Sequence, residues 1–87
     1  MDRHVIVGIH ITDRVGHAVP VQHVLTEFGA AIKTRIGLHE VGPGAPTPGN
    51  GLILIEVVGD DATLAQLTDR LDAIEGVDVQ KMIFEHA

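Results

Sequence analysis

The apolar residues of this chain change period in a fixed order, and that order admits few folds. Residues 5–12 alternate, with Val5, Val7, Ile9 and Ile11 on one side and Ile6, Gly8, His10 and Thr12 on the other. This is a strand buried on at least one face. Asp13 is a candidate helix cap, but Gly16 and Pro20 follow it. Proline in a helix interior costs about 3 kcal/mol and is tolerated in the first turn, so the first helix is predicted to begin near His17. Val21, Val24, Leu25 and Phe28 then form a helical stripe, and Gly29 is the expected C-terminal cap.

Residues 31–41 return to strand period. Ile32, Thr34, Ile36 and Leu38 are expected on one face, and Lys33, Arg35, Gly37, His39 and Val41 on the other. The Gly/Pro-rich stretch 42–51 is read as a flexible hairpin loop, with Asn50-Gly51 as a turn at its end. Residues 52–58 form an apolar run broken only by Glu56, the pattern of a central strand buried on both faces. Asp60 or Asp61 caps a second helix with Leu64, Leu67, Leu71 and Ile74 as its stripe and Gly76 as its stop. In the last strand, residues 77–85, Val77, Val79, Lys81 and Ile83 alternate with Asp78, Gln80, Met82 and Phe84.

The order is β-α-β-β-α-β. Right-handed crossovers turn it into two split β-α-β units: an α+β, ferredoxin-like sandwich, with a four-stranded antiparallel sheet and both helices on one face. Its 87 residues make a single domain, residues 1–87. Two helices leave the second face of the sheet open. That face is expected to carry Ile6, Gly8, Val41, Met82, Phe84 and half the apolar residues of the third strand. This is too large an apolar patch to leave in water, so a homo-oligomer, a dimer or a tetramer, is expected.

Composition narrows the chemistry. The chain has no Cys, which removes disulfides, thiolate metal sites and a Cys nucleophile together, and it has no Ser to serve as a nucleophile. No phosphate-binding loop or dinucleotide fingerprint occurs. A net charge of −6 with six scattered Lys or Arg residues argues against direct nucleic-acid binding. No apolar run approaches the ~20 residues of a membrane span, and the N-terminal run is too short and interrupted for a signal peptide. The default location is cytoplasmic.

The chemistry-bearing residues that remain are chiefly histidines. Alternation places His10 and His39 on the open face, while His4 and His86 stand at strand ends. Together they are the candidate ligands for a divalent transition metal, with Glu56 able to add an oxygen. No His-x-His or His-x-x-x-His spacing occurs within an element, so such a site must be assembled across strands or subunits. The plainer reading is that these are surface or interface histidines. Arg35, beside Lys33, and Glu56 are the candidate effector-binding residues; the structural alternative for Arg35 is an ion pair with Glu40, Glu56 or an acid of another subunit. His17 and His23 are expected to face solvent. The acidic residues from Asp60 to Asp78 are read as a solvated helix face with a cap, without the ligand spacing of a calcium loop.

With these elements placed, the chain resembles the small stand-alone proteins of the iron-only hydrogenase system regulator family. The resemblance is carried by TDR at 12–14, IKTRIG at 32–37 and LTDRLDAIEGVDVQ at 67–80, and it spans nearly the whole chain. The departure is the hairpin, short in that family and extended here by GPGAPTPGNG. The family's fold is similar to ACT domains and to the metal-binding domain of nickel-responsive regulators. The resemblance therefore implies an oligomeric, effector-binding regulatory module. It does not supply a ligand set, because the nickel site of those regulators uses a Cys that this chain lacks.

Three functions are consistent with these observations. The first is a non-enzymatic regulatory module binding a small effector or metal ion at an oligomer interface. The second is a ligand-free interaction protein assisting metalloenzyme maturation. The third is a cofactor-free enzyme of the dimeric α+β barrel kind, disfavoured because Tyr, Trp, Ser and Cys are all absent.

Overall fold

The computed structural model describes residues 3–12, 14–38 and 51–86, and for residues 14–17 the backbone alone. The elements are β1 (Arg3–Ile11), α1 (Arg14–Glu27), a 3₁₀ turn (Gly29–Ala31), β2 (Ile32–Leu38), β3 (Gly51–Val57), α2 (Asp61–Asp72) and β4 (Val77–Glu85). The strands form one antiparallel sheet in the order β2-β3-β1-β4. This is the ferredoxin-like arrangement expected from the period of the sequence. No helix among the described residues is long and apolar enough to cross a membrane.

β1 sits between β3 and β4, and its alternation sets the core. Val5, Val7, Ile9 and Ile11 are each at most 2% exposed. They stand beside Ile55 and Val57 of β3 on the side that the helices cover. α1 contributes Val21, Val24 and Leu25 to this core and α2 contributes Leu64, Leu67 and Leu71. Phe28 and Ile74 close its ends, partly buried. Thr68 is the buried polar residue among those described, and its hydroxyl donates to the Leu64 carbonyl at 3.0 Å.

The helix ends follow local chemistry. Asp60 is the N-cap of α2, its carboxylate accepting from the Thr63 amide at 2.8 Å. That bond holds the carboxyl below its usual range. Gly76 adopts φ +81° after α2, as a stop in the left-handed region requires. Gly29 does not play this part for α1: the glycines with positive φ among the described residues are Gly59 and Gly76, and Gly29 instead opens the 3₁₀ turn. α1 also begins earlier than its proline predicts, at Arg14 rather than near His17. Pro20 is exposed within it. A proline there leaves the Gly16 carbonyl without its intrahelical donor.

β2 differs most from the simple alternation. A register shift between Ile32 and Thr34 inserts a bulge. Ile32 pairs with Val57 and so faces the helices, whereas Thr34, Ile36 and Leu38 pair with Glu56, Leu54 and Leu52 on the open side. The two expected faces of this strand are thereby corrected: Ile32 parts from Ile36 and Leu38, and Arg35 and Gly37 turn to the helix side opposite Ile55 and Ile53. Two residues crowded against one partner reverse the alternation beyond the bulge. β3 is central, as its apolar run predicts, but it is not buried on both faces of the single chain, because Leu52 is exposed. Gly51 is its first residue and pairs with Ile11, rather than ending the hairpin turn. Val41 and the rest of the loop lie outside the described residues.

Leu67 is fully buried between α2 and the sheet. Leu67→Ala is expected to destabilise the fold by about 2–5 kcal/mol through the cavity it leaves. Asp60→Ala is expected to cost about 1 kcal/mol through the lost cap. Urea unfolding at fixed protein concentration measures both.

Candidate functional site

The open face of the sheet is the first candidate, because its composition departs furthest from that of a free surface. Ile6, Gly8 and His10 of β1 point to this side, with Leu52, Leu54 and Glu56 of β3, Gln80, Met82 and Phe84 of β4, and Ile36 and Leu38 of β2. Met82 is 55% exposed, Phe84 54% and Ile36 50%. Leu38 and Leu52 are exposed as well. These side chains are contiguous across all four strands, which distinguishes them from the scattered single apolar residues of an ordinary surface.

Gly8 sits near the middle of this face, on a central strand, and deepens a hollow of about 320 Å³ lined by Leu54, Gln80 and Met82 among others. A Cβ at position 8 would meet Leu54 Cδ2 at 3.6 Å and the Gln80 carbonyl oxygen at 3.9 Å, ordinary contacts. The isolated chain therefore has room for a larger residue here. Glycine within a strand weakens it and often marks close approach by another group.

At one end of the face the histidines meet a carboxylate. The His4 ring donates from Nδ1 to Glu56 Oε2 at 2.9 Å. The His86 ring stands edge-on to that of His4, with centroids 4.8 Å apart. The hydrogen bond from His4, with the charge of Lys33 nearby, draws the Glu56 carboxyl below its ordinary value of 4.5. His10 shares the face but lies six residues along β1 from His4, roughly 20 Å at the rise of a strand. Its cross-strand neighbours are Leu52 and Asp78. His39 lies outside the described residues. The structure thus sets His4 against Glu56 and against His86, as two separate contacts, and keeps His10 apart. Among the described residues, no group of three or more His, Asp or Glu side chains converges as a metal site.

Arg35 and Glu56 do not form one site, since they occupy opposite faces of the sheet. The other arginines with described side chains are engaged. Arg3 pairs with Asp61, and Arg70 pairs with Glu27 while lying 5.9 Å from the centre of the Phe28 ring. The Arg70 pair joins α2 to α1 and holds the Glu27 carboxyl low. His23 is exposed on α1 as expected, and the His17 side chain lies outside the described ones. The pairing of His4 with Glu56 went unread in the sequence. The register of β1 against β3 carries its signal, because Glu56 is cross-strand to Ile6 and diagonal to His4.

With the fold and these surfaces placed, the chain can be set beside known proteins. No family model matches the sequence, and no curated protein does. Among solved structures it is similar to the uncharacterized protein TM1266 from Thermotoga maritima, with a TM-score of 0.81 and 25% identity over 95% of this chain and 98% of that one. It is also similar to CPII, a nitrogen regulatory PII-like protein from Thiomonas intermedia K12 solved with ADP, AMP and bicarbonate. That match has a TM-score of 0.51 and 14% identity, covering 98% of this chain and 96% of that one, and it shows the shared fold alone.

Because the folded Glu56 carboxyl titrates below its ordinary value, the His4–Glu56 pair contributes stability above that value and loses it as pH falls through the lowered one. His4→Gln is expected to move the Glu56 titration midpoint, read by NMR, back up toward the ordinary range. An unmoved midpoint would mean that the ring does not hold the carboxylate.

Proposed function

We propose that this chain is a non-enzymatic regulatory module that works as paired copies, the open sheet faces packed together, and that responds to a small effector. The observation that carries the pairing is the contiguous exposure of Ile36, Leu38, Leu52, Met82 and Phe84 across one face. Four strands about 4.8 Å apart and seven paired residues of about 3.3 Å rise span roughly 20 by 23 Å in plan. With the relief of the side chains, this is the scale of the ~800 Å² per partner of a standard interface. A symmetric pairing needs a surface that complements itself, and the hollow at Gly8 beside the protruding Leu52 and Met82 supplies both a recess and knobs to fill one.

The regulatory part rests on three supports. The sequence resembles iron-only hydrogenase system regulators, which suggests a role beside a metalloenzyme system. A nitrogen regulatory PII-like protein uses the same fold with small ligands bound. The chain has no Cys or Ser nucleophile, and its sequence shows no cofactor-binding motif. A phosphate-rich effector suits the chain poorly: it has six Lys or Arg residues in all, and Arg3 and Arg70 are already paired. A divalent metal as the effector would need ligands from a second copy, because His4, His86 and Glu56 do not converge on one point within the single chain. Elemental analysis of untagged protein tests that version.

The pairing itself is tested by sedimentation. Met82→Glu places a charge on the apolar face, on the edge strand β4 opposite Ile6, where burial against a second copy is costly. It is expected to weaken self-association by about a hundredfold or more while the far-UV circular dichroism stays unchanged, since residue 82 is exposed in the single chain. Unaltered association in the variant would contradict the proposed face.

A further inference from the structure

We infer that the chain binds a small aliphatic carboxylate on the helix side of its sheet, in a hollow between β2 and α1 where Arg35 stands at the mouth and Gly37 leaves the floor open. This names a site and a ligand class for the effector-responsive module proposed above, and it rests on that reading. The hollow, about 410 Å³, is bounded by Ile11 and Ile53 of the sheet, Ala18 and Gln22 of α1, and Arg35 and Gly37 of β2.

Three observations converge on it. The first is the bulge, which turns Arg35 and Gly37 toward the helices. α1 packs on β1 rather than on this edge strand, so residues 33–38 are all exposed and a gap is left beside the helix. The second is Gly37. Its backbone is not in the left-handed region, and a Cβ built on it finds no described atom within 4 Å. Neither conformation nor packing among the described residues calls for glycine, which is a poor strand residue. What glycine provides here is the empty space. The third is Arg35, which makes no hydrogen bond or ion pair with any described residue, whereas Arg3 and Arg70 are both held by carboxylates.

The lining selects the ligand. One guanidinium fork matches one carboxylate, and the Gln22 amide can donate beside it. Among the described residues no acidic side chain lines the hollow, so the ammonium group of an amino acid would find no described counter-charge there. No second cation among the described residues lines it either, which disfavours a dicarboxylate or a phosphate ester. Ile11, Ala18 and Ile53 offer apolar walls to a short branched tail. The site therefore fits an aliphatic monocarboxylate better than the corresponding amino acid or amide.

Calorimetric titration of the full chain with isocaproate, isocaproamide and leucine tests the assignment. Isocaproate is expected to bind at least about tenfold more tightly than the other two, because only it forms the charged pair without bringing a charge of its own that stays unmatched. Arg35→Gln is expected to reduce isocaproate binding by about tenfold or more. Gly37→Val, which fills the hollow without displacing a neighbour, is expected to abolish binding while thermal melting is unchanged or raised. Equal binding of isocaproate and its amide, or wild-type binding by both variants, would overturn the site. Sedimentation of the same samples separates the two claims. Paired chains that ignore isocaproate defeat this site alone. Unpaired chains whose binding depends on Arg35 and Gly37 leave the site standing and defeat the pairing.

Discussion

The antiparallel pairing of β1 with β3 on one side and β4 on the other is the constraint on which the rest of the structure depends. Once Val5, Val7, Ile9 and Ile11 are committed to one side, every residue cross-strand to them is committed too. The helices must then cover that side, and Leu67, Leu71 and Val21 are fully buried as a result. The same commitment sends Ile6, Leu54, Met82 and Phe84 to the other side, where no described element covers them. The apolar core and the apolar surface are thus two consequences of one register, and a one-residue slip would exchange them.

Polar chemistry sits at the edges of this arrangement. The Arg70–Glu27 pair bridges the outer ends of the two helices, and Arg3–Asp61 ties β1 to the start of α2. Exposed pairs of this kind add little stability, but they fix how neighbouring elements lie. The His4–Glu56 pair lies at one end of the open face, and Arg35 on the reverse of the edge strand. The centre of the open face is therefore apolar with a polar rim, the distribution found in packed interfaces.

Much of this was legible in the chain itself. The element order, the stripe Leu64-Leu67-Leu71, a cap at Asp60 or Asp61 and the stop at Gly76 follow from period and capping chemistry, and so does the apolar burden of the second face; the structure makes Asp60 the cap. The bulge at Ile32–Thr34 was not legible. Strand period is a local signal, whereas a bulge is decided by pairing with β3, and Lys33 carries no mark of it. That single insertion moved Arg35 away from Glu56 and the histidines. The start of α1 was misplaced for another reason. Proline's cost is local, about 3 kcal/mol from a lost hydrogen bond and a clash with the preceding turn, whereas α1 is held by the burial of Val21, Val24 and Leu25 against the core. The meeting of His4 with Glu56 required a register that periodicity alone does not supply.

The account stands on a second copy covering the open face. The methyl group of Met82 reports on that cover directly, through its relaxation by a soluble paramagnetic probe measured over a dilution series. If the faces pair, the methyl is shielded in concentrated protein and becomes accessible on dilution, while an exposed methyl on the helix side, that of Val19, stays accessible throughout. A Met82 methyl as accessible as Val19 at every concentration would contradict the account.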